Sequence, residues 1–268
     1  MKVVLFCGGL GTRIREYSEA IPKPMIPLGN QPILWHVMNY YSRFGHRDFL
    51  LCLGYKANVI KDFFLEARPQ AFSDCVVSGY GRVEMLDEPE EDWRVALIDT
   101  GIWRNIGERL WAVRRYLAEE EVFCCNYSDG LTDVDLDVMT QWFLKTGKVA
   151  CFLSVRPRLT FHFADIAYDG SVRALSSAER SEIWINGGYF IFRKKIFEYM
   201  REGEDLVLEP FDRLIKDGQL IAYKHEGFWS AMDTLKDRQV LEDMVEQGKT
   251  LWGMPCLSSS SVNNLASK

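Results

Sequence analysis

The first thirty residues constrain this chain most. An apolar run, Lys2-Val-Val-Leu-Phe-Cys7, ends in Gly8-Gly-Leu-Gly-Thr-Arg13, and Pro22-Lys23-Pro24 follows. The run reads as a buried strand. A strand ending in glycines lets backbone N–H groups approach a ligand, because no Cβ intervenes, and clustered N–H groups bind phosphate. The two prolines each fix φ near −65°, so Lys23 is presented from a stiff segment.

Two other glycine loops are poor matches. A Walker phosphate loop needs Gly-Lys-Ser/Thr, whereas Thr12-Arg13 follows the glycines here. A dinucleotide fingerprint from Gly9 and Gly11 needs a third small residue where Ile14 stands.

Downstream, the apolar spacing predicts helices over 31–44 and 57–67 around a strand at 48–54. That alternation is the pattern of a parallel sheet with crossover helices, an α/β fold. Further strands are expected at 75–77, 95–98, 122–125, 149–155 and 220–223. Further helices are expected at 106–117, 135–145, 208–217 and 235–246, the last with Leu235, Val240, Leu241, Met244 and Val245 inward. Residues 84–92 read as an acidic loop, and 161–192 as aromatic-rich extended segments. Residues 1–252 read as one domain, and the serine-rich 253–268 as a flexible tail.

Composition narrows the classes. With 268 residues, 47% of them hydrophobic, the chain can bury a sizeable core, and its net charge of −6 argues against nucleic-acid binding. No apolar run reaches membrane-spanning length and no signal peptide is recognisable, which points to the cytoplasm. Seven cysteines without Cys-x-x-Cys, and four scattered histidines, read as reduced core residues rather than a zinc site. His36, on the apolar side of a helix, reads as a hydrogen-bonded core histidine.

Asp129 follows the strand at 122–125 and precedes Gly130. The carboxyl end of a central strand is where open α/β sheets bind ligands, so Asp129 is a candidate magnesium ligand. Asp233, in a turn before the last helix, is a second. Magnesium suits such a pair, because it keeps several waters and takes one or two carboxylates plus phosphate oxygens.

In its glycine loop and Pro-Lys-Pro the chain resembles the sugar-phosphate nucleotidyltransferases, whose signature is Gly-Gly-x-Gly-Thr-Arg followed by Lys-Pro. It is most similar to the glucose-1-phosphate cytidylyltransferase branch. The supporting runs are Pro22 to Met25, Pro32 to His36, Asp99-Thr100-Gly101, Ile185-Asn186-Gly187-Gly188, Gly227-Phe228-Trp229 and Met232-Asp233-Thr234.

The resemblance implies an open, mostly parallel Rossmann-like sheet flanked by helices. It divides the domain into a nucleotide-binding part near 1–155 and a smaller β-rich sugar-binding part near 156–230. It also implies transfer of a nucleotidyl group from CTP to a sugar 1-phosphate with Mg2+, in a homo-oligomer. Gly8, Gly9, Leu10, Gly11, Thr12, Arg13 and Arg109 would bind nucleotide, with Arg13 on the β- and γ-phosphates and Lys23 near the reacting phosphates. Asn186, Gly187, Lys23 and Arg180 would bind the sugar phosphate, and Asp129 and Asp233 the metal. For Arg109, a helix-surface cation paired with Glu108 or Glu119 is an equal alternative.

Three departures stand out. Ser128-Asp129-Gly130 replaces the family's Gly-Asp-Gly. Where relatives carry Glu-Lys-Pro, whose lysine grips the sugar phosphate, this chain has Ser176-Ser177-Ala178-Glu179-Arg180 and is one residue shorter. Bulky Phe161-His162-Phe163 stands where relatives have a glycine. The acceptor is therefore expected to be a phosphorylated sugar or polyol other than plain glucose 1-phosphate, anchored partly by Arg180, with Arg158 as second candidate; the alternative is that the loop has merely shifted and glucose 1-phosphate still binds. Two alternatives remain: a nucleotide-sugar glycosyltransferase using Asp133-x-Asp135-x-Asp137, and a non-catalytic nucleotide-binding regulator.

Overall fold

The computed structural model describes residues 1–11, 14, 20–66, 75–78, 82–85, 92–157, 162–177 and 183–253. Thr12, Arg13, Arg158, Phe161, Arg180, the 86–91 part of the acidic loop and 254–268 lie outside them.

In chain order the strands begin with β1 (Val3–Phe6), β2 (Pro27–Leu28), β3 (Gln31–Pro32), β4 (Asp48–Leu53), β5 (Cys75–Ser78) and β6 (Arg82–Met85). They continue as β7 (Arg94–Asp99), β8 (Val122–Asn126), β9 (Gly130–Thr132), β10 (Ala150–Val155), β11 (His162–Ile166) and β12 (Val172–Ser177). The last are β13 (Ile185–Arg193), β14 (Leu220–His225) and β15 (Trp229–Ala231). The helices are α1 (Ile33–Arg43), α2 (Ala57–Glu66), α3 (Ile106–Val113), α4 (Leu136–Thr146), α5 (Glu209–Lys216) and α6 (Leu235–Glu246).

Seven strands form one sheet in the order β14-β10-β13-β8-β1-β4-β7. Six share a direction, and β13 alone runs antiparallel to both neighbours. Alternation explains why β1 is apolar throughout. Val3 and Leu5 pack on one face with Tyr41 and Phe143, while Val4 and Phe6 pack on the other with Leu110 and Phe211. The expected mostly parallel sheet is what forms. Of the described residues in 156–230, β11 and β12 form a separate hairpin and β15 a short ladder with β9, while β13 and β14 join the central sheet.

Several local expectations need correction. Glu84 lies in β6 rather than in a loop. The helix expected over 106–117 becomes a 3-10 turn after Val113, although Leu110, Val113 and Leu117 are buried as expected. In α6 only Leu241 is fully buried. Met244 and Val245 pack against the core, whereas Leu235 and Val240 are exposed. Gly253 closes a 3-10 turn with Leu251 and Trp252 instead of opening a tail. Trp252 is buried against Phe228 and donates to His36 Nδ1 at 3.3 Å. His36 Nε2 lies 2.9 Å from Leu28 O, as befits a hydrogen-bonded core histidine. Cys7, Cys52, Cys124, Cys125 and Cys151 are buried free thiols.

His46 carries a pH expectation. Its Nε2 is buried without a hydrogen-bond partner, and burial together with the nearby N-terminal ammonium lowers its pKa to about 4. The native state thus holds it neutral, while the unfolded chain takes up a proton below about 6.5. Stability should be fully present above about pH 6.5 and decline as pH falls toward 4. Burial of His36 lowers its pKa and adds the same sign. Thermal unfolding midpoints between pH 7 and 5 should fall less in His46→Phe than in the parent. An equal fall would count against this role.

Candidate active site

The strand directions decide where the site lies. Leu5 pairs with Asn126 and Phe6 with Cys52, so the carboxyl ends of β1, β4, β7 and β8 share one sheet edge. Because β13 is reversed, its first residues, Asn186 and Gly187, reach that same edge beside β8. A cleft of about 420 Å³ opens there, lined by Gly9, Gly11, Lys23, Arg104, Tyr127 and Asp129, among others. That volume suits a small organic ligand.

Asp129 and Asp233 are brought together by a ladder that the sequence reading missed. β15 pairs antiparallel with β9, Ala231 opposite Gly130, and Met232 N donates to Asp129 O at 2.9 Å. The next residue is Asp233. Lys23, held in a 3-10 turn between Pro22 and Pro24, donates to Asp129 Oδ2 at 2.5 Å and to Asp233 Oδ1 at 2.6 Å. Three residues separated by 106 and 210 positions thus converge, two carboxylates around one cation.

Ser128 shows why its neighbour position favours glycine. Its φ is +65°, a left-handed conformation costing roughly 1–2 kcal/mol for a residue with a Cβ. Local bonds offset that cost: Ser128 N donates to Asn126 Oδ1 at 2.6 Å, and its hydroxyl reaches Phe6 O at 2.8 Å. The turn that aims Asp129 therefore survives the loss of glycine.

Arg109 lies beneath the glycine loop rather than free in the cleft. It is 3% exposed, and its guanidinium donates to the carbonyls of Gly8, Leu53, Gly101 and Ile102 and to Thr100 Oγ1. A Cβ at Gly8 would stand 2.0 Å from this guanidinium, and one at Gly54 2.8 Å. Gly8 is thus bare to admit Arg109, whereas Gly9 is exposed with open space around it. From beneath the loop Arg109 fastens the ends of β1, β4 and β7 and also forms part of the cleft wall. Burial lowers its pKa from the usual arginine value. Neither Glu108 nor Glu119 pairs with it, since Glu108 closes the Asn105 capping box at the start of α3.

On the other side of Asp129, Asn186 Nδ2 donates to Tyr127 Oη at 3.2 Å and its Oδ1 accepts from Gly188 N at 2.8 Å. Gly187 O accepts from Trp229 Nε1 at 2.8 Å. Gly188 needs its glycine, because φ is +77° and a Cβ would come within 2.6 Å of the Tyr127 ring. Asn105, Tyr127 and Asp205 also line the cleft but were missed. The Asn105-x-x-Glu108 spacing was a usable signal for a helix start; Asp205 carried none.

The alternative metal motif is spent on structure. Asp133 Oδ1 accepts from His225 Nε2 at 2.7 Å and from Phe228 N at 2.8 Å, while Asp135 caps α4.

A profile of the nucleotidyl transferase family matches residues 2–238. The chain belongs to that family. It is 35% identical to the probable glucose-1-phosphate cytidylyltransferase of Bacillus subtilis (strain 168) over 94% of this chain and 99% of the relative. It is 36% identical to the glucose-1-phosphate cytidylyltransferase of Salmonella typhimurium over 94% and 98%. The fold is shared with HddC from Yersinia pseudotuberculosis, with TM-score 0.63, 22% identity and 91% and 99% coverage. It is also shared with a UDP-glucose pyrophosphorylase complexed with UDP-glucose, with TM-score 0.65, 14% identity and 92% and 98% coverage. Among the described residues, no helix is long and apolar enough to cross a membrane.

Proposed function

We propose that this nucleotidyl transferase joins CTP to a sugar 1-phosphate, giving a CDP-sugar and pyrophosphate. The observation that carries the reading is the convergence of Lys23, Asp129 and Asp233 at the cleft below the glycine loop. Relatives matched over nearly their whole length and named for this reaction supply the nucleotide.

The chemistry joins two polyanions. A sugar-phosphate oxygen attacks the α-phosphorus, the bond to the β-phosphate oxygen breaks, and pyrophosphate leaves. The attacking oxygen is already anionic, so no side-chain nucleophile or base is required, and positioning and charge neutralisation carry the catalysis. The glycine loop offers backbone N–H groups to phosphate oxygens, Lys23 supplies a fixed positive charge beside them, and Arg13 is the proposed partner of the β- and γ-phosphates. Asn186 and Gly187 would face the sugar.

The donor set suits magnesium. Asp129 and Asp233 converge on one cation, the Lys23 ammonium, and a pair of carboxylates matches the few protein ligands this metal takes. Bound there, Mg2+ would neutralise phosphate charge. Asp133 and Asp135, already committed to structure, favour this reading over a glycosyltransferase.

CTP should be turned over faster than UTP or dTTP in a magnesium-dependent pyrophosphate-release assay run across sugar 1-phosphates. Equal or better turnover with UTP or dTTP would remove the CTP assignment. No release with any pair would remove the activity and leave the regulator reading.

A further inference from the structure

Beyond Asn186 the same sheet edge continues, as a shelf, to the carboxyl ends of β10 and β14. Ser154 lies opposite Asn186 on β13 and opposite Lys224 on β14, and Val155 lies opposite Ile185. Side chains alternate across a sheet, so Arg156 shares the face of Ser154, and the indole it meets is that of Trp184, just before Ile185. This is the face on which Phe152 packs with the cluster that includes Ile106 and Tyr127, two residues of the cleft wall.

Arg156 and Lys224 both lie over Trp184, at 5.1 and 5.0 Å from the ring centroid. Among the described residues, Glu226 pairs with Arg156, its Oε1 3.7 Å away, and is largely exposed. Two cations drawn to one indole repel each other, and an exposed glutamate offsets little of that charge. An anion resting on the shelf would relieve the remainder with charge-assisted hydrogen bonds.

The sheet order gives the shelf its place. Along the edge run β7, β4 and β1 under the glycine loop, β8 with Asp129, β13 with Asn186, and then β10 and β14 with Arg156 and Lys224. A ligand whose reacting phosphate sits at Asp129 and whose ring lies at Asn186 points its far end at the shelf.

We infer that Arg156 and Lys224, mounted on Trp184, form a subsite for a second anionic group on the acceptor, so that the acceptor class is a sugar 1-phosphate carrying a further carboxylate or phosphate. This rests on the nucleotidyl transfer proposed above.

The test compares kcat/KM, with CTP and magnesium, for glucose 1-phosphate, glucose 1,6-bisphosphate and glucuronic acid 1-phosphate. At least one of the doubly anionic acceptors should exceed glucose 1-phosphate about tenfold or more. The double variant Arg156→Ala/Lys224→Ala, both at exposed positions, should erase that advantage and leave glucose 1-phosphate kinetics unchanged. Pyrophosphate release from glucose 1-phosphate without any such advantage, or an advantage that survives the double variant, overturns this inference alone. No release from any acceptor overturns the transfer reading together with it.

Discussion

Asp129→Asn and Asp233→Asn should each lower turnover by roughly 10²-fold or more, at unchanged fold stability. Each substitution keeps the size of the side chain and removes one negative charge from a pair that converges on Lys23. The remaining carboxylate still holds the ammonium, so the turn at Lys23 and the β9–β15 ladder stay in place. What is lost is the capacity of the pair to hold a divalent cation against phosphate. Pyrophosphate release at saturating magnesium measures the first effect and denaturant unfolding the second. Near-parental turnover in either variant would take that aspartate out of the metal site. Chelation by EDTA should abolish the parent's activity, and added magnesium should restore it.

Arg109→Lys should cost at least about 3 kcal/mol of stability, because hydrogen bonds to a charged group contribute about 1.5–3 kcal/mol each and several are lost together. The guanidinium reaches five acceptors on three chain segments, which a lysine ammonium with three donors cannot do. The carbonyls of Gly8 and Leu53 would keep their donors Tyr55 N and Thr100, but the guanidinium that ties them to Gly101 and Ile102 would be gone, and the glycine loop would lose its fastening. KM for CTP should rise as a consequence. The experiment separates the two roles open to this residue. Unfolding at lower denaturant marks a positioning residue, whereas a KM increase without loss of stability would make Arg109 the direct nucleotide ligand that the resemblance implies.

Much of the fold was legible because it is written in local periodicity. The continuous apolar runs at 2–7, 48–54 and 122–125 could be buried only between two helical layers, and the bounds expected for α6 agree with those observed. Lys23 was legible as a presented cation, since two prolines stiffen its segment whatever surrounds it. Asp129 was legible from its place after a buried strand.

Tertiary structure decided the rest. No local signal announces that β13 runs against its neighbours, yet that reversal carries Asn186 to the edge occupied by Asp129. The three-residue strands β9 and β15 are too short to show a period, and their pairing sets Asp233 beside Asp129 across about a hundred positions. The sequence placed Arg109 equally well on a surface or in a nucleotide site. Its burial depends on bare Cα atoms at Gly8 and Gly54, glycines on two different strands' ends that only the sheet brings together. By itself, then, the sequence determined the class of fold, the glycine loop and the kind of charge each candidate residue carries, because these follow from neighbours along the chain. Which of those charges meet was decided by strand order and direction, which depend on packing between segments far apart in sequence.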